Sequence, residues 1–151
     1  MSGVAEIRFA ESHERASLSD LHRRSSFVWA QDRAVLERHP DALGVAAEAI
    51  DERRVRVALG ARGELLGFAT VATAQDVCIL DDLFVEPEVM RRGIGRLLVE
   101  DAAARARASG CVAMTVVSAA RNFPFYEAVG FVPGEASPTR FGPAFLMRRT
   151  L

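Results

Sequence analysis

The chain has 151 residues, 50% of them apolar, and a formal net charge of −1. That length suits one domain with a full hydrophobic core, and the near-neutral charge argues against a general affinity for nucleic acid or anionic membranes. No stretch has the features of a signal peptide or of a bilayer-spanning helix, so we expect a cytoplasmic protein with one domain over residues 1–151.

Cys78 and Cys111 have no Cys or His neighbour at ligand spacing, so we expect two buried thiols and no metal site.

The start of the chain predicts a strand followed by two helices. Residues 6–10 alternate between polar and apolar side chains as a strand does, and Ser12 is placed to cap a helix over residues 13–24. A second helical pattern covers residues 31–38 and ends before a proline.

The segment between these helices holds Phe27 and the chain's single tryptophan, Trp29. Two interpretations stay open, because these side chains could belong to the core or line a substrate pocket. Residues 41–51 show no pattern that predicts an element.

Two adjacent carboxylates lie in the strand that follows a predicted hairpin. Residues 54–59 and 64–72 predict the hairpin, and residues 79–85 predict the next strand, which contains Asp81 and Asp82. Adjacent strand residues face opposite sides, so one carboxylate could point into a cleft and the other to solvent. A carboxylate in a cleft would attract a cationic amine and could take its proton. The alternative is a strand edge with solvated acids. Glu86 and Glu88, which follow this strand, are expected to be surface charge.

A turn rich in glycine and arginine comes next, with the sequence Arg91-Arg92-Gly93-Ile94-Gly95-Arg96. The glycines allow tight dihedrals and the close approach of an anion, and the first N–H groups of the following helix point toward it. The turn therefore predicts a phosphate site, and the alternative is a basic loop with no ligand. A Walker loop is excluded because the chain contains no lysine. A dinucleotide fingerprint is excluded because Leu98 stands where it needs a third small residue.

The helix that begins at this turn is predicted to bury one apolar face. Its predicted members are Ile94, Leu97, Leu98 and Ala102. Gly110 is placed to end the helix, and residues 111–117 then form an apolar run of strand length. Since a helix separates this run from residues 79–85, the two strands should pair in parallel.

The end of the chain predicts a short helix and a hairpin. Residues 118–131 predict the helix, closed by Gly130, and residues 131–132 and 144–148 predict a hairpin around a loop rich in proline and glycine. The order of elements is typical of an α/β (α+β) domain with helices on both faces of a central sheet.

Two segments resemble motifs of the GNAT N-acetyltransferase superfamily. The turn, read as Met90-Arg91-Arg92-Gly93-Ile94-Gly95, resembles the pyrophosphate-binding pattern Gln/Arg-x-x-Gly-x-Gly/Ala, with Met90 as a departure. The segment Phe125-Tyr126-Glu127-Ala128-Val129-Gly130-Phe131 resembles the common Phe-Tyr-x-x-x-Gly-Phe. Ala119 is a second departure, where the family frequently has asparagine, and Asn122 lies one helical turn later. The element order is also similar to that of the family, so the resemblance covers nearly the whole chain.

This resemblance implies a mixed, mostly antiparallel central sheet in which two central parallel strands splay apart. It implies acetyl-CoA as the cosubstrate, with its pyrophosphate on the glycine turn and its pantetheine arm on the exposed backbone of residues 83–85. The residues implied in cofactor binding are Leu83, Phe84, Val85, Arg91, Arg92, Gly93, Ile94, Gly95, Arg96, Asn122 and Phe125.

The resemblance also implies catalytic candidates. Tyr126, the only tyrosine, matches the family position that protonates the leaving thiolate, a role that suits a phenol with a pKa of about 10. The alternative is a tyrosine that only packs its ring. Asp81 and Asp82 lie in a strand similar to the acidic strand of polyamine and diamine acetyltransferases. His22 lies on a helix that borders the acceptor pocket in the family, so it either contacts substrate or is an ordinary exposed histidine.

The leading hypothesis is an acetyl-CoA-dependent N-acetyltransferase. It would move an acetyl group to a primary amine of a small molecule or peptide, a cationic amine among the candidates, by direct attack in a ternary complex. Two alternatives stay open: a non-catalytic acyl-CoA-binding or sensor module, and an acetyltransferase of a protein N-terminus. We expect no nucleic acid or membrane partner, and a homodimer is open because members of the superfamily are often dimers.

Overall fold

The fold is seen in a computed structural model that describes residues 3–26, 44–139 and 142–151. The strands in these ranges are β1 Glu6–Phe9, β2 Val55–Leu59, β3 Leu65–Ala74, β4 Val77–Val85, β5 Ala113–Ser118, β6 Val132–Ala136 and β7 Phe145–Thr150. They form one sheet in the spatial order β1-β2-β3-β4-β5-β7-β6. β4 and β5 pair in parallel, whereas β1 with β2, β2 with β3, β5 with β7 and β7 with β6 are antiparallel. The predicted mixed and mostly antiparallel sheet is therefore confirmed.

Helices and short 3-10 turns connect these strands. The α-helices of the described ranges are α1 Arg15–Ser26, α2 Ala47–Asp51, α3 Ile94–Ala108 and α4 Phe123–Ala128. The 3-10 turns are Ser12–Glu14, Pro87–Val89 and Ala120–Asn122. The helix predicted over residues 31–38 lies outside the described residues. Where the chain is described, none of its helices combines the length and apolar character that crossing a bilayer requires.

The chain divides into two compact units, Met1–Thr70 with Asp82–Leu98 and Val71–Asp81 with Val99–Leu151. The first unit has a core in which α1 and α2 pack against β2 and β3. Its fully or nearly buried members include Leu18, Leu21, Ala49, Ile50, Val55, Val57 and Phe68, with Phe84 partly buried against them. An amphipathic helix becomes stable by burying such a stripe, because a single helix of this length is marginal in water.

Helices lie on both faces of the sheet within the first unit. The ring of Phe68 in β3 lies 6.4 Å from the ring of His22 in α1. A Cβ on the preceding residue, Gly67, would lie 3.4 Å from Ile94 Cγ2 and 3.2 Å from Leu98 Cδ1 in α3. Adjacent strand residues point to opposite faces, so α1 and α3 cover opposite sides of β3. This confirms the predicted two-sided arrangement.

The second unit holds the parallel strand pair and the C-terminal hairpin. The register of β4 and β5 runs from Val77 opposite Ala113 to Leu80 opposite Val116. Arg149 in β7 donates from Nη1 to Glu100 Oε1 in α3 at 2.8 Å and to the Val129 carbonyl at 3.1 Å. One guanidinium thus joins a strand, a helix and the end of α4.

The two cysteines agree with their prediction. Cys78 and Cys111 are buried, with 2% and 6% of their surface exposed, and both are free thiols. Burial raises the pKa of the Cys78 thiol to about 11, so the reactive thiolate is rare at neutral pH.

Two local predictions about helices were wrong. The chain enters α1 through a 3-10 turn preceded by Glu11, and the Glu11 N–H donates to Glu14 Oε1 at 2.8 Å, so Ser12 is not the cap. Leu97 is 39% exposed, whereas Val99 is fully buried. The buried stripe of α3 follows Ile94, Leu98, Ala102 and their neighbours, which leaves Leu97 at its edge.

Strand boundaries differ from the predicted ones by up to four residues. The hairpin strand predicted over residues 64–72 is Leu65–Ala74, and the strand predicted over residues 79–85 begins at Val77. The turn between them is shorter because Gln75 adopts a positive φ of 57°. The segment over residues 41–51, which showed no sequence pattern, contains α2 at its end.

Gly67 offers a test of the packing that holds β3 and β4 together. A Cβ at Gly67 would lie 2.8 Å from the carbonyl oxygen of Phe84, a backbone atom that no rotamer change can move. We therefore expect Gly67→Ala to lower the free energy of unfolding by about 1–3 kcal/mol, as overpacking does. Urea unfolding monitored by circular dichroism would measure it.

Gly60→Ala is the matched control for this prediction. A Cβ there would meet only the terminal carboxylate of Glu64, which can swing into solvent. We expect a change within about 0.5 kcal/mol. Equal effects of the two substitutions would contradict the close approach of β3 and β4 as the cause.

Candidate active site

The turn between β4 and α3 is built from two residues with left-handed backbone. After β4 ends at Val85, the chain passes through the 3-10 turn and reaches Arg91 with φ 66° and Gly93 with φ 82°. Gly95 lies inside α3 and is buried, so the prediction that both glycines relax the turn is correct for Gly93 alone. A left-handed arginine costs roughly 1–2 kcal/mol, and such strain concentrates at functional segments.

The turn presents positive charge to open space. Arg91, Arg92 and Arg96 are exposed, and none has an ion-pair partner in the described parts of the chain. The first backbone hydrogen bond of α3 runs from the Leu97 N–H to the Gly93 carbonyl at 3.1 Å. The N–H groups of the residues just before Leu97 therefore have no carbonyl acceptor within the helix. A Cβ on Gly93 would meet no atom within 4 Å. Free amides, a helix N-terminus and three arginines together suit a phosphate group.

The last residues of β4 lie beyond its parallel pairing. The register with β5 ends at Leu80 and Val116, whereas β4 continues to Val85. Leu83, Phe84 and Val85 are half-buried. The described pairing with β5 thus covers only the first part of β4, and the divergence of the two strands beyond it stays a prediction.

Asp82, not Asp81, is the carboxylate turned toward α1. Asp81 is exposed, whereas the side chain of Asp82 is 27% exposed and its Oδ1 lies 3.9 Å from Nε2 of His22. Strand alternation alone predicted that the two would differ but not which one would face inward. Asp82 is therefore placed to reach both solvent and the interior of the first unit.

His22 is buried, with 6% of its surface exposed. Its ring centroid lies 4.1 Å from that of Phe84, and its Nδ1 lies 3.4 Å from Ser26 Oγ. Burial lowers the pKa of His22 to about 4, so the imidazole is neutral at pH 7 and its contact with Asp82 is not an ion pair. The helical spacing of the buried residues Leu18 and His22 could have predicted this burial from sequence.

Glu86 was predicted to be surface charge, and this was wrong. Arg24 Nε donates to Glu86 Oε1 at 2.9 Å and Arg24 Nη2 to Glu86 Oε2 at 2.7 Å. The side chain of Glu86 is 19% exposed. This bidentate pair ties α1 to the end of β4, and sequence reasoning missed it because the two residues are 62 positions apart. Glu88 is exposed, as predicted.

Tyr126 lies in α4 in the second unit and is half-buried. Its ring lies edge-on to Phe125 at 5.0 Å and to Phe131 at 5.5 Å between centroids. Burial raises the pKa of Tyr126 to about 12, so the phenol keeps its proton throughout the physiological range. Asn122 ends the preceding 3-10 turn and donates its N–H to the Ala119 carbonyl at 3.0 Å, while Phe125 is 37% exposed.

Two of the predicted substrate-contacting residues lie outside the described residues. Phe27 and Trp29 fall in the part of the chain that is not described. In the described ranges, no group of three or more His, Cys, Asp and Glu side chains is arranged to hold a metal ion.

The acetyltransferase (GNAT) domain family matches this chain over residues 51–133, which is more than half of its length. The chain belongs to the GNAT acetyltransferase family. The match extends from the end of α2 into β6 and includes the turn before α3 and Tyr126 of this GNAT domain. The resemblance stated from its motifs is thus confirmed.

Known proteins similar to this GNAT domain include one curated relative and several solved structures. Glucosamine 6-phosphate N-acetyltransferase of Trypanosoma brucei brucei is 33% identical over 52 residues, which are 34% of this chain and 35% of that protein. The match therefore spans about a third of the relative's length.

Two of the similar solved structures cover nearly the whole chain. A GCN5-related N-acetyltransferase of Rhodopseudomonas palustris has a TM-score of 0.78 at 18% identity and covers 100% of this chain and 98% of its own. The PaiA N-acetyltransferase of Thermoplasma acidophilum was solved in complex with coenzyme A and has a TM-score of 0.75 at 19% identity. The similarity covers 97% of this chain and 98% of the PaiA chain. Identities this low show a shared fold, and the shared fold is that of GNAT enzymes.

The environment of Tyr126 can be tested by spectrophotometric titration. Because the chain has one tyrosine, absorbance near 295 nm reports a single phenol. We expect a midpoint near 12 in the folded protein and near 10 in denaturant. The contribution of the Tyr126 phenol to the free energy of unfolding should be complete below about pH 10 and be lost as the pH rises toward 12. Between these values only the unfolded chain releases the phenol proton. A folded midpoint near 10 would contradict the burial of the hydroxyl.

Proposed function

We propose that this GNAT domain transfers the acetyl group of acetyl-CoA to a primary amine of a small molecule or peptide. The acceptor would attack directly in a ternary complex, without an acetylated enzyme. The observation that carries the proposal is the turn from Arg91 to Gly93, which leads into α3 with free amides and with arginines that have no ion-pair partner among the described residues. Family membership and the coenzyme A complex of the similar PaiA enzyme support it.

In this proposal the turn holds the pyrophosphate. The amides of Gly93, Ile94 and Gly95 donate hydrogen bonds, and Arg91, Arg92 and Arg96 supply compensating charge. Met90 replaces a polar residue of the family pattern, but a site built from backbone amides does not need that side chain. The neighbouring backbone of Leu83, Phe84 and Val85 would hold the pantetheine arm, with Asn122 and Phe125 as further contacts to the cofactor.

Bound acetyl-CoA would supply the thioester carbonyl that the amine attacks. The chain's own contribution begins with Asp82, which is the half-exposed carboxylate of the acidic strand. It would bind the protonated amine by charge and accept the proton that must leave before attack. Asp81, exposed beside it, would add to the negative potential that draws cations to this strand.

Tyr126 is proposed as the acid that protonates the departing thiolate. Its pKa of about 12 keeps the phenol protonated at neutral pH, so its O–H can donate a hydrogen bond to the sulfur as negative charge develops there and deliver the proton as the thiolate leaves. For the acceptor, we assign the contact with the amine to Asp82, with His22 behind it. Phe27 and Trp29 stay candidates for the apolar part of the acceptor.

The cofactor site can be tested by acetyl-CoA affinity. We expect the double variant Arg92→Ala/Arg96→Ala to raise Kd roughly tenfold or more, because each charge-assisted contact contributes about 1.5–3 kcal/mol. Isothermal titration calorimetry at low salt would measure it. The control is Arg62→Ala/Arg107→Ala, which removes the same charge from two other exposed arginines. Equal loss in both variants would mean that total charge, not the turn, sets the affinity.

Turnover can be tested by release of free CoA across a panel of polyamines, aminoglycosides, amino acids and short peptides. We expect a cationic amine to be acetylated and Tyr126→Phe to lower kcat by about a hundredfold or more, the usual contribution of a general acid. Its Kd for acetyl-CoA should stay within about twofold, because the ring remains. Tight binding of acetyl-CoA without turnover of any amine would instead indicate a non-catalytic binding module.

A further inference from the structure

A cluster of polar groups lies within the aromatic part of the first unit's core. Asp82 in β4 and Ser26 in α1 flank the two nitrogens of His22, at 3.9 Å from Nε2 and 3.4 Å from Nδ1. Phe84 and Phe68 cover the imidazole, with centroids 4.1 and 6.4 Å away. Carboxylate, imidazole and hydroxyl thus form a line from the partly exposed Asp82 through the buried His22 to the half-buried Ser26.

A fourth polar group shares this face of the sheet. Thr70 is two residues after Phe68 in β3, so both side chains point to the side on which α1 lies. Its hydroxyl is buried and has no hydrogen-bond partner among the described residues. Buried polar groups are nearly always satisfied, so an unpartnered hydroxyl here indicates a place for an ordered water or a ligand atom.

We propose that His22 and Asp82 act as one proton-accepting pair for the acceptor amine, an inference that rests on the acetyl transfer proposed above. Asp82 is the catalytic residue because it reaches solvent and meets the ammonium group. His22 is the positioning residue that shares the proton through Asp82, and Ser26 orients its ring. The Thr70 hydroxyl would hold the water that connects the amine to the pair.

The proton transfer is balanced within these groups. One N–H bond of the R–NH₃⁺ group breaks, its electron pair stays on the amine nitrogen, and the proton forms an O–H bond on Asp82 or an N–H bond on His22 Nε2. The amine goes from +1 to neutral while the pair goes from −1 to neutral. No oxidant, reductant or metal is needed, and the proton later leaves to solvent through the exposed side of Asp82.

Among the described residues that contact His22, Asp82 is the one that carries a charge. β4 presents Asp82 and Phe84, β3 presents Phe68, and α1 itself presents Ser26. Arg24, two residues along α1, is exposed and already paired with Glu86. Burial lowers the His22 pKa, and the Asp82 carboxylate 3.9 Å from Nε2 is the charge whose removal a titration of His22 would test.

The first experiment measures this coupling without turnover. The His22 imidazole, ¹³C-labelled, is titrated by NMR, and its signal is assigned by its loss in His22→Phe. Removing the adjacent carboxylate destabilises the imidazolium, so we expect Asp82→Asn to lower the His22 pKa by at least about half a unit. Asp20→Asn removes an exposed carboxylate from the same helix and is expected to leave it unchanged. An unchanged value in Asp82→Asn would overturn the pair.

The second experiment uses kcat/KM against pH for an amine that turns over. A proton shared by Asp82 and His22 is bound more tightly than a proton on Asp82 alone. In His22→Phe we therefore expect the acidic limb of the kcat/KM profile to move to lower pH and its plateau to fall about tenfold. The double variant His22→Phe/Asp82→Asn should be no slower than Asp82→Asn, because members of one unit are not additive. Phenylalanine keeps the ring packing on Phe84, so wild-type rates and pH profile in His22→Phe would assign His22 to packing alone.

These outcomes separate this inference from the proposed function. If wild-type protein acetylates an amine but the two substitutions act additively, the pair fails and acetyl transfer stands. If no amine turns over while Asp82→Asn shifts the His22 titration, acetyl transfer fails and the coupling of the two groups stands. Urea unfolding of each variant checks that a loss of rate is not a loss of fold.

Discussion

The close approach of β4 to Gly67 is the contact on which the proposed cofactor and acceptor groups of the first unit depend. A Cβ at position 67 would lie 2.8 Å from the Phe84 carbonyl oxygen, which is too close for any residue but glycine. The side chains of Ile94 and Leu98 lie beside the same position. This fixes the end of β4 against β3 on one side and the first turn of α3 on the other. The same strand carries Asp82 and Phe84 toward α1. The absence of a side chain at Gly67 therefore helps to position both the N-terminus of α3 and the carboxylate of Asp82.

The first unit accepts local free-energy costs at these positions and offsets them with packing. Arg91 holds a left-handed backbone conformation, His22 is buried as a titratable group, and the Thr70 hydroxyl is buried with no hydrogen-bond partner among the described residues. Each is unfavourable by itself, by about 1–3 kcal/mol. The apolar core of α1, α2, β2 and β3 supplies burial that compensates for these costs. Sites that must bind and react often keep such costs because relaxing them would remove the chemistry.

Local sequence signals predicted much of this arrangement. Glycine and arginine spacing predicted the turn before α3, and strand length with a connecting helix predicted the parallel pair of β4 and β5. Predictions failed where the deciding contact is distant in sequence. Glu86 was expected at the surface because nothing nearby indicates Arg24, and the side of the strand that Asp82 faces depends on where α1 packs. Alternation gives opposite faces for adjacent residues and cannot say which face is inside.

The neutral state of His22 matters for the charge that a cationic amine would meet. A protonated imidazole at 3.9 Å would cancel the charge of Asp82, and the strand would lose most of its attraction for an ammonium group. Burial against Phe84 and Phe68 prevents this by lowering the pKa of His22 to about 4. The net charge of the pair then stays at −1 at neutral pH, which is the charge that one amine proton neutralises. The aromatic rings that stabilise the core thus also set the proton affinity of the group proposed to receive that proton.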